Sequence, residues 1–242
     1  MAFKDGDIVK VHYTAFQDNE VVETTKEEVA VKEGIFDEKR KYQAAIAVIG
    51  ERNFFEKVDN ELKNMSVGEK KRIKLEPKEA FGERNDELVR VVALKEFKKR
   101  NITPFPGLVV DLNGLKGRVQ SVSGGRVRVD FNHPLAGKEI EFELEVIEKI
   151  EGDENKANAL VEKFFSFARD DIKFEFKENA LIVEAPAHKL VGVEGLKRAF
   201  AKAALKSTKA KEVKFVESFT EELLKETEPK EEGEQEESEE QK

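Results

Sequence analysis

The most regular hydrophobic pattern in the chain begins at Ile140. Ile140, Phe142, Leu144 and Val146 alternate with glutamates, and an alternation of period two predicts a strand with one buried face. A lone strand is not stable in water, so this one must pair with a sheet formed by other parts of the chain. The stretch before it, residues 88–135, has a different character, and we therefore expect the partner strands to come from much earlier in the sequence.

The N-terminal part of the chain contains candidates for that sheet. Residues 7–16 alternate strictly between apolar and polar positions, as is typical of a half-buried strand. Shorter strands are predicted at 21–25, 45–49 and 70–76. The charged stretch 26–43 between them predicts irregular or briefly helical structure.

One helix is predicted between the third and fourth of these strands. Asn53 followed by Glu56 has the spacing of a capping box, which predicts that the helix begins there. Phe54, Val58 and Leu62 recur at helical spacing, and Gly68 marks the end.

Residues 88–135 predict a separate small β module. Asn113-Gly114 and Gly124-Gly125 lie between short apolar stretches, and such dipeptides are strong hairpin signals. The stretch 97–106 is predicted to be a loop with exposed aromatic residues. From Asp86 to Asp130 there are nine basic and five acidic residues, so the module is locally positive.

After Gly152 the pattern restarts. Two helical stretches and three strand-like stretches follow in the order αββαβ, which predicts a compact α+β domain over residues 153–220. Residues 226–242 hold nine Glu and two Lys and supply −7 of the net charge of −8. Such a composition cannot form a packed core, and the tail 221–242 is therefore expected to be disordered.

Composition narrows the classes of function. Cysteine is absent, which excludes disulfides, thiolate metal sites and a cysteine nucleophile. Charged residues make up 39% of the chain, with no Trp and only two Met, a balance that resembles the proteins of hyperthermophiles. The start lacks the apolar core of a signal peptide, and no apolar run is long enough to span a bilayer. These features predict a soluble cytoplasmic protein without a membrane partner.

Several motifs resemble the FKBP-type prolyl isomerases. Gly6-Asp7-Ile8-Val9-Lys10-Val11-His12-Tyr13-Thr14 carries the first likeness, and Met65-Ser66-Val67-Gly68-Glu69-Lys70 and Ala80-Phe81-Gly82 extend it. Asn132-His133-Pro134-Leu135-Ala136-Gly137-Lys138 is similar to the SlyD-like branch, where it marks the return from an inserted flap domain. The region after Asp153 is similar to the third domain of the long archaeal members.

This resemblance implies an α+β architecture in which a bent antiparallel sheet wraps around one helix. The isomerase domain would comprise residues 1–85 and 137–151, and the inserted flap 86–136. The resemblance also implies an aromatic-lined pocket. Its residues would be Tyr13, Val22, Glu23, Phe54, Phe55, Val58, Phe81 and Phe142.

The pocket positions depart from the family pattern in three places. Val22-Glu23 stands for the usual Phe-Asp pair, Phe81 for a Tyr, and Lys57 for a Gly after the helix entry Phe54-Phe55. The altered pocket allows either an active isomerase or a non-catalytic chaperone on the same scaffold. Without the resemblance, these aromatic residues would be assigned to an ordinary core.

The flap implies a second binding surface, because the corresponding SlyD-like domain binds unfolded chains. Its candidate residues are Leu94, Phe97, Ile102, Phe105, Leu108, Phe131 and Leu135. Equally, a small module needs most of its apolar residues for its own core. Lys98-Lys99-Arg100 is either a solvated loop or a contact with RNA or a ribosome.

Prolyl isomerisation requires no cofactor, nucleophile or proton transfer. A pocket that binds the twisted peptide bond better than the planar one is sufficient. No metal is expected, because His12, His133 and His188 are far apart in the sequence. The expected partners are unfolded or nascent chains containing X-Pro bonds, with a ribosome contact or a homodimer through the C-terminal domain as further options.

Overall fold

The computed structural model describes residues 2–221, so the predicted acidic tail lies, apart from its first residue, outside the described residues. The chain divides into two compact units, residues 1–149 and residues 150 onward. No helix within the described residues is long and apolar enough to cross a membrane.

A five-stranded sheet forms the body of the first unit. Its strands are β1 (Ile8–Gln17), β2 (Glu20–Thr24), β3 (Ala45–Val48), β4 (Lys70–Leu75) and β9 (Ile140–Ile150). The strand order is β2-β1-β9-β4, and β3 pairs with the first half of β1. The helices α1 (Glu27–Lys32) and α2 (Glu56–Asn64) connect these strands.

The pairing predicted for the alternating strand at Ile140 is confirmed. β9 pairs antiparallel with β4, with Phe142 opposite Ile73 and Ile140 opposite Leu75. Ile140, Leu144 and Val146 are completely buried in the core of this unit, together with Val58 and Leu62 of α2. A strand late in the sequence therefore completes a sheet made by the first 75 residues.

Between β4 and β9 the chain forms a second, four-stranded sheet of order β5-β8-β7-β6. Its elements are β5 (Val89–Ala93), α3 (Leu94–Lys98), β6 (Val109–Leu112), β7 (Leu115–Ser123) and β8 (Arg126–Asp130). We call residues 86–136 the flap. Gly117 is required in β7, because a Cβ atom there would lie 2.7 Å from both the Phe131 ring and the Val129 side chain.

Two crossing segments join the flap to the five-stranded sheet. The side-chain amide of Asn132 accepts from the Asn85 amide nitrogen and donates to its carbonyl, each at 2.9 Å. Asp130 accepts from Arg84 Nη2 at 2.6 Å and from the Asn132 side chain at 2.8 Å. Gly137 N donates to Gly82 O at 2.8 Å. We call these contacts the seam.

Two local predictions were wrong. α2 begins at Glu56 rather than at Asn53, because the Asn53 side chain turns back and bonds the backbone of Val48 and Glu51 instead of capping the helix. The predicted loop 97–106 begins inside helix α3, and Phe97 is completely buried.

The second unit contains helices α4 (Asp153–Phe165), α5 (Ala187–Leu190) and α6 (Glu194–Ser207) and strands β10 (Lys173–Lys177), β11 (Ala180–Pro186) and β12 (Glu212–Ser218). β11 lies between antiparallel β10 and parallel β12. Leu160, Phe165, Leu181 and Phe200 are completely buried. This unit therefore has an apolar core of its own.

Candidate functional site

An aromatic cavity of about 470 Å³ opens in the first unit, and it contains most of the predicted pocket residues. Its walls come from β1, β2, β9, the segment before α2 and the loop after β4. The predicted residues in the walls are Tyr13, Val22, Glu23, Phe54, Phe55, Phe81 and Phe142. Leu135 and Ile140 also line it.

Val58 was predicted to line the pocket and does not. It is completely buried in the core and is absent from the cavity wall. Since α2 begins only at Glu56, Val58 lies in its first turn and faces the sheet. It supports the cavity from behind rather than contacting what enters it.

The aromatic rings pack edge against face around the cavity. Tyr13 lies 5.4 Å from Phe54, and Phe55 lies 5.1 Å from Phe81, both in T-shaped arrangements. Phe142 lies 6.0 Å from Tyr13 and 5.9 Å from Phe55 and so bridges the two pairs. Such pairs hold each other's orientation through the ring quadrupole. The two phenylalanines at the helix entry therefore line the pocket without filling it.

A polar network closes one side of the cavity. The Tyr13 hydroxyl donates to Glu23 Oε1 at 2.7 Å, and Arg40 Nη2 donates to the same oxygen at 3.0 Å. Burial, followed by the hydrogen bond to Glu23, raises the pKa of Tyr13 to about 12. The phenol therefore keeps its proton at neutral pH and remains a donor.

Arg40 was missed by the sequence analysis. It lies in the charged stretch 26–43, where no periodicity places any residue on a face. Its guanidinium group pairs with Glu23, which lies seventeen positions away in the chain. The turn at Asp37–Arg40, closed by a hydrogen bond from Arg40 N to Asp37 O, brings it to Glu23 of the cavity wall.

The backbone before α2 is held by Asp59. Asp59 Oδ2 accepts from Asn53 N at 3.1 Å. Both carboxylate oxygens of Asp59 accept from Phe54 N, at 3.3 and 3.2 Å. The amide of Phe55 has no hydrogen-bond acceptor within the described residues, and the residue lines the cavity. This amide N–H can donate to a ligand carbonyl, at the position where the resemblance implies a donor to the carbonyl before proline.

The flap meets the cavity at Phe81. The His133 ring stacks on Phe81 with centroids 4.2 Å apart and planes only 4° apart. Leu135, predicted as a flap residue that binds unfolded chains, instead packs against the core of the five-stranded sheet and lines the aromatic cavity. The segment 133–135 therefore belongs to the wall of the cavity as much as to the flap.

The other predicted flap residues divide into two groups. Phe97 is completely buried at the centre of the flap core and cannot contact another chain directly, which corrects its assignment. Leu94, Ile102, Leu108 and Phe131 pack against that core while remaining partly exposed. Phe105 is 57% exposed. Most of these apolar residues therefore pack into or against the core of the flap itself, because a small module has few other apolar residues from which to build a core.

The histidines lie in unrelated surroundings. His12 Nδ1 is 2.9 Å from Thr25 Oγ1, and burial, followed by the Lys26 charge, lowers its pKa. His133 stacks on Phe81, and His188 is exposed in the second unit. Over residues 2–221, no group of three His, Cys, Asp or Glu residues is arranged to hold a metal ion.

The arrangement suits a reaction without covalent chemistry. Rotation about a peptide bond faces a barrier of roughly 18–20 kcal/mol because it removes the resonance of the amide. An apolar aromatic wall disfavours the more polar planar form, and a free amide holds one carbonyl in place. A cavity of this kind can lower the barrier by binding the twisted form preferentially.

Comparison with known proteins agrees with this geometry. The family model for FKBP-type peptidyl-prolyl cis-trans isomerase matches residues 1–98, and the model for the FKBP26, IF domain matches residues 90–135.

The chain is 32% identical over 143 residues to a short-type peptidyl-prolyl cis-trans isomerase of Methanocaldococcus jannaschii, covering 59% of this chain and 91% of that protein. It is 30% identical over 108 residues to the FKBP-type 16 kDa peptidyl-prolyl cis-trans isomerase of Escherichia coli, covering 43% and 72% respectively. The SlyD isomerase of Pasteurella multocida is 28% identical over 141 residues, which are 52% of this chain and 66% of that protein. On the extent of the first two matches, the chain belongs to the FKBP-type peptidyl-prolyl cis-trans isomerase family and is a peptidyl-prolyl cis-trans isomerase.

Proposed function

We propose that the aromatic cavity is the prolyl isomerase site and that the protein accelerates X-Pro isomerisation in unfolded chains held by the flap. The observation that carries the first half is a single cavity in which Tyr13, Phe55, Phe81 and Phe142 meet. The proline ring would lie among these aromatic rings, and the carbonyl before it would accept from the Phe55 amide.

The Tyr13–Glu23–Arg40 network would fix the polar edge of the site. With two donors on one carboxylate oxygen, Glu23 is held at the cavity wall and its charge is neutralised. Glu23 stands where the family usually has an aspartate, and its hydrogen bond from Arg40 then compensates for this substitution. We therefore propose an active isomerase rather than a scaffold that has lost catalysis.

Capture of unfolded chains by the flap is supported by two features. Phe105 exposes 57% of its surface. A groove of about 460 Å³ near the seam has Val109, Phe131 and Pro134 in its walls. Since His133 belongs to this groove and also stacks on Phe81 of the cavity, a chain held in the groove would have its nearby prolines close to the site.

Alanine substitutions test the catalytic site. Phe55→Ala and Phe81→Ala should each lower kcat/KM for short proline peptides by at least tenfold, because each removes part of the wall that excludes water. Phe219→Ala is the matched control, since that ring is 66% exposed in the second unit. Equal activity in all three variants would remove the aromatic cavity as the site.

Refolding of a protein limited by proline isomerisation tests the full function. The seam hydrogen bonds between Asn85 and Asn132 bring the two ends of the flap together, so residues 86–131 can be replaced by a short linker that leaves the cavity-wall segment 133–135 in place. Deletion should abolish suppression of aggregation and acceleration of protein refolding, and leave activity on short peptides. Suppression of aggregation that survives the deletion would place chain binding elsewhere. Aggregation suppression without any acceleration by the intact protein would favour a chaperone without catalysis.

A further inference from the structure

The solvent-facing side of the flap sheet carries an arginine row. Arg126 and Arg128 are exposed on β8 and alternate with completely buried Val127 and Val129. Arg118 is exposed on the neighbouring strand β7, opposite Asp130. We call Arg118, Arg126 and Arg128 the arginine row.

The neighbours of Arg126 and Arg128 across the sheet are uncharged. Arg128 lies between Val91 and Ser121, and Arg126 lies between Ala93 and Ser123. Within the described residues neither guanidinium group has an ion-pair partner, and Arg118 makes only a long contact of 3.5 Å to the Gly107 carbonyl. Asp130 is already engaged by Arg84 and Asn132.

In the five-stranded sheet of the same unit, the cationic side chains of β4 form ion pairs. Lys70 and Arg72 on β4 pair with glutamates of β9, and Lys74 pairs with Glu139 just before β9, at distances of 2.7–3.3 Å. The cations on β4 are therefore neutralised by neighbouring glutamates, whereas, in the part of the chain that the structure describes, Arg126 and Arg128 are not.

Apolar surface adjoins the arginine row. Val91 and Val109 are 64% and 56% exposed, and Val109 lies opposite Arg118. Arg118 and Lys116 also line the groove that contains Phe131 and Pro134. Cationic and apolar positions thus form one continuous surface, with Arg118 common to both parts.

We propose that the arginine row makes the flap selective for acidic-apolar segments, which are extended stretches with carboxylates at alternate positions and apolar residues on either side. This specificity rests on the proposed capture of unfolded chains by the flap. The planar guanidinium group binds carboxylates through paired hydrogen bonds. Arg126 and Arg128 are two residues apart on one strand, about 6.6–6.8 Å, which is also the spacing of alternate side chains in an extended chain.

A nucleic acid fits this surface less well. Sites for single strands combine positive charge with aromatic side chains on which bases stack. The cross-strand neighbours of Arg126 and Arg128 are Val91, Ala93, Ser121 and Ser123, none of which is aromatic. The two exposed apolar residues beside the arginine row, Val91 and Val109, are aliphatic and offer no ring for a base to stack on.

The test measures binding of two labelled peptides to the full-length protein by fluorescence anisotropy. Both peptides have the same apolar residues, with Glu at alternate positions in one and Lys in the other. Wild type should bind the Glu peptide at least tenfold more tightly, and added salt should reduce this ratio, because exposed charge pairs are screened. Arg126→Glu/Arg128→Glu should abolish or reverse the preference, whereas Arg126→Lys/Arg128→Lys should retain part of it.

Lys98→Glu/Lys99→Glu is the matched control, with the same change of charge on exposed residues of the same flap. It should leave the preference intact. All variants should keep wild-type activity on short proline peptides, which shows that they fold.

Equal affinity for the two peptides, or an equal loss in the control, would overturn the proposal. A uridine oligonucleotide that binds more tightly than the Glu peptide, and only with the arginine row intact, would overturn it in favour of nucleic acid. If the flap binds neither peptide, both the proposed capture of unfolded chains and its selectivity for acidic segments are wrong.

Discussion

At the scale of single residues, the site depends on hydrogen bonds that converge on one carboxylate oxygen. Tyr13 and Arg40 both donate to Glu23 Oε1. Because the pKa of Tyr13 is raised to about 12, first by burial and then by Glu23, this donor persists over the whole neutral range. The hydroxyl is the only polar part of a side chain that otherwise belongs to the aromatic wall.

Tyr13→Phe should therefore weaken catalysis without emptying the cavity. A net hydrogen bond contributes about 0.5–1.5 kcal/mol, so kcat/KM on short peptides should fall by about two- to tenfold. Tyr42→Phe is the matched control, since Tyr42 is the only other tyrosine of the chain and its hydroxyl accepts from Asp37 N. The same loss in both variants would contradict a specific role for the Tyr13 hydroxyl.

His12 gives the first unit a predictable response to pH. Burial and the Lys26 charge lower its pKa below the usual value of 6.5, so the folded state binds a proton less readily than the unfolded state. The free energy of unfolding should then rise with pH between the lowered pKa of folded His12 and 6.5. The contribution of neutral His12 is complete above pH 6.5 and is lost as the pH falls through and below that value.

His12→Gln should remove this part of the pH dependence. The difference in unfolding free energy between wild type and the variant should shrink between about pH 8 and pH 5, the range in which histidine changes charge. Denaturant unfolding of both proteins measures it. His188→Gln, at an exposed position, should leave the slope unchanged; a parallel pH profile for wild type and His12→Gln would contradict the assignment.

At the scale of elements, the seam decides how the flap is held beside the cavity. Asp130 lies at the end of β8 and accepts from Arg84, Gln120 and Asn132. Burial opposes its ionisation, but the bonds from Asn132 and Arg84 outweigh burial and hold its pKa below the usual value. The ionised carboxylate of Asp130 therefore links the two segments that connect the flap to the sheet, through its hydrogen bonds from Arg84 and Asn132.

Asp130→Asn should loosen this connection while leaving the pocket intact. We expect little change in kcat/KM on short peptides, and a several-fold rise in KM for refolding of a protein substrate with kcat less affected. Asp111→Asn is the control, since it alters an exposed flap residue that accepts from Gly114 N in its own turn. A fall in peptide activity equal to the fall in refolding activity would indicate that Asp130 supports the cavity itself.

At the scale of the whole molecule, each of the two units has its own buried core. The groups assigned to catalysis all lie before residue 150, and Leu160 is completely buried in the second unit. Since each unit has its own core, a cavity made in one core should lower the stability of that unit.

Leu160→Ala should destabilise the second unit alone. Removal of a buried leucine side chain costs about 2–5 kcal/mol, and calorimetry should show one transition at lower temperature with peptide isomerase activity unchanged below it. The surface variant Leu196→Ala, at a position that is 37% exposed, should have a much smaller effect. Loss of isomerase activity in step with unfolding of the second unit would show that the two units are coupled.

The sequence alone determined the local periodicities and the residue types of the site. The alternation from Ile140 identified a strand in need of a sheet, because the period of a strand is set within the strand itself. The motifs that resemble the FKBP family selected eight pocket residues, and seven of these eight line the cavity.

Tertiary structure alone decided which of these residues meet, because such contacts join positions far apart in the chain. It brought Arg40 to Glu23, turned Asn53 away from the helix, buried Phe97, and placed Leu135 in the cavity wall. An aromatic or leucine residue in a short module has the same local pattern whether it is core or surface. The difference is set by which non-local neighbours remove it from water.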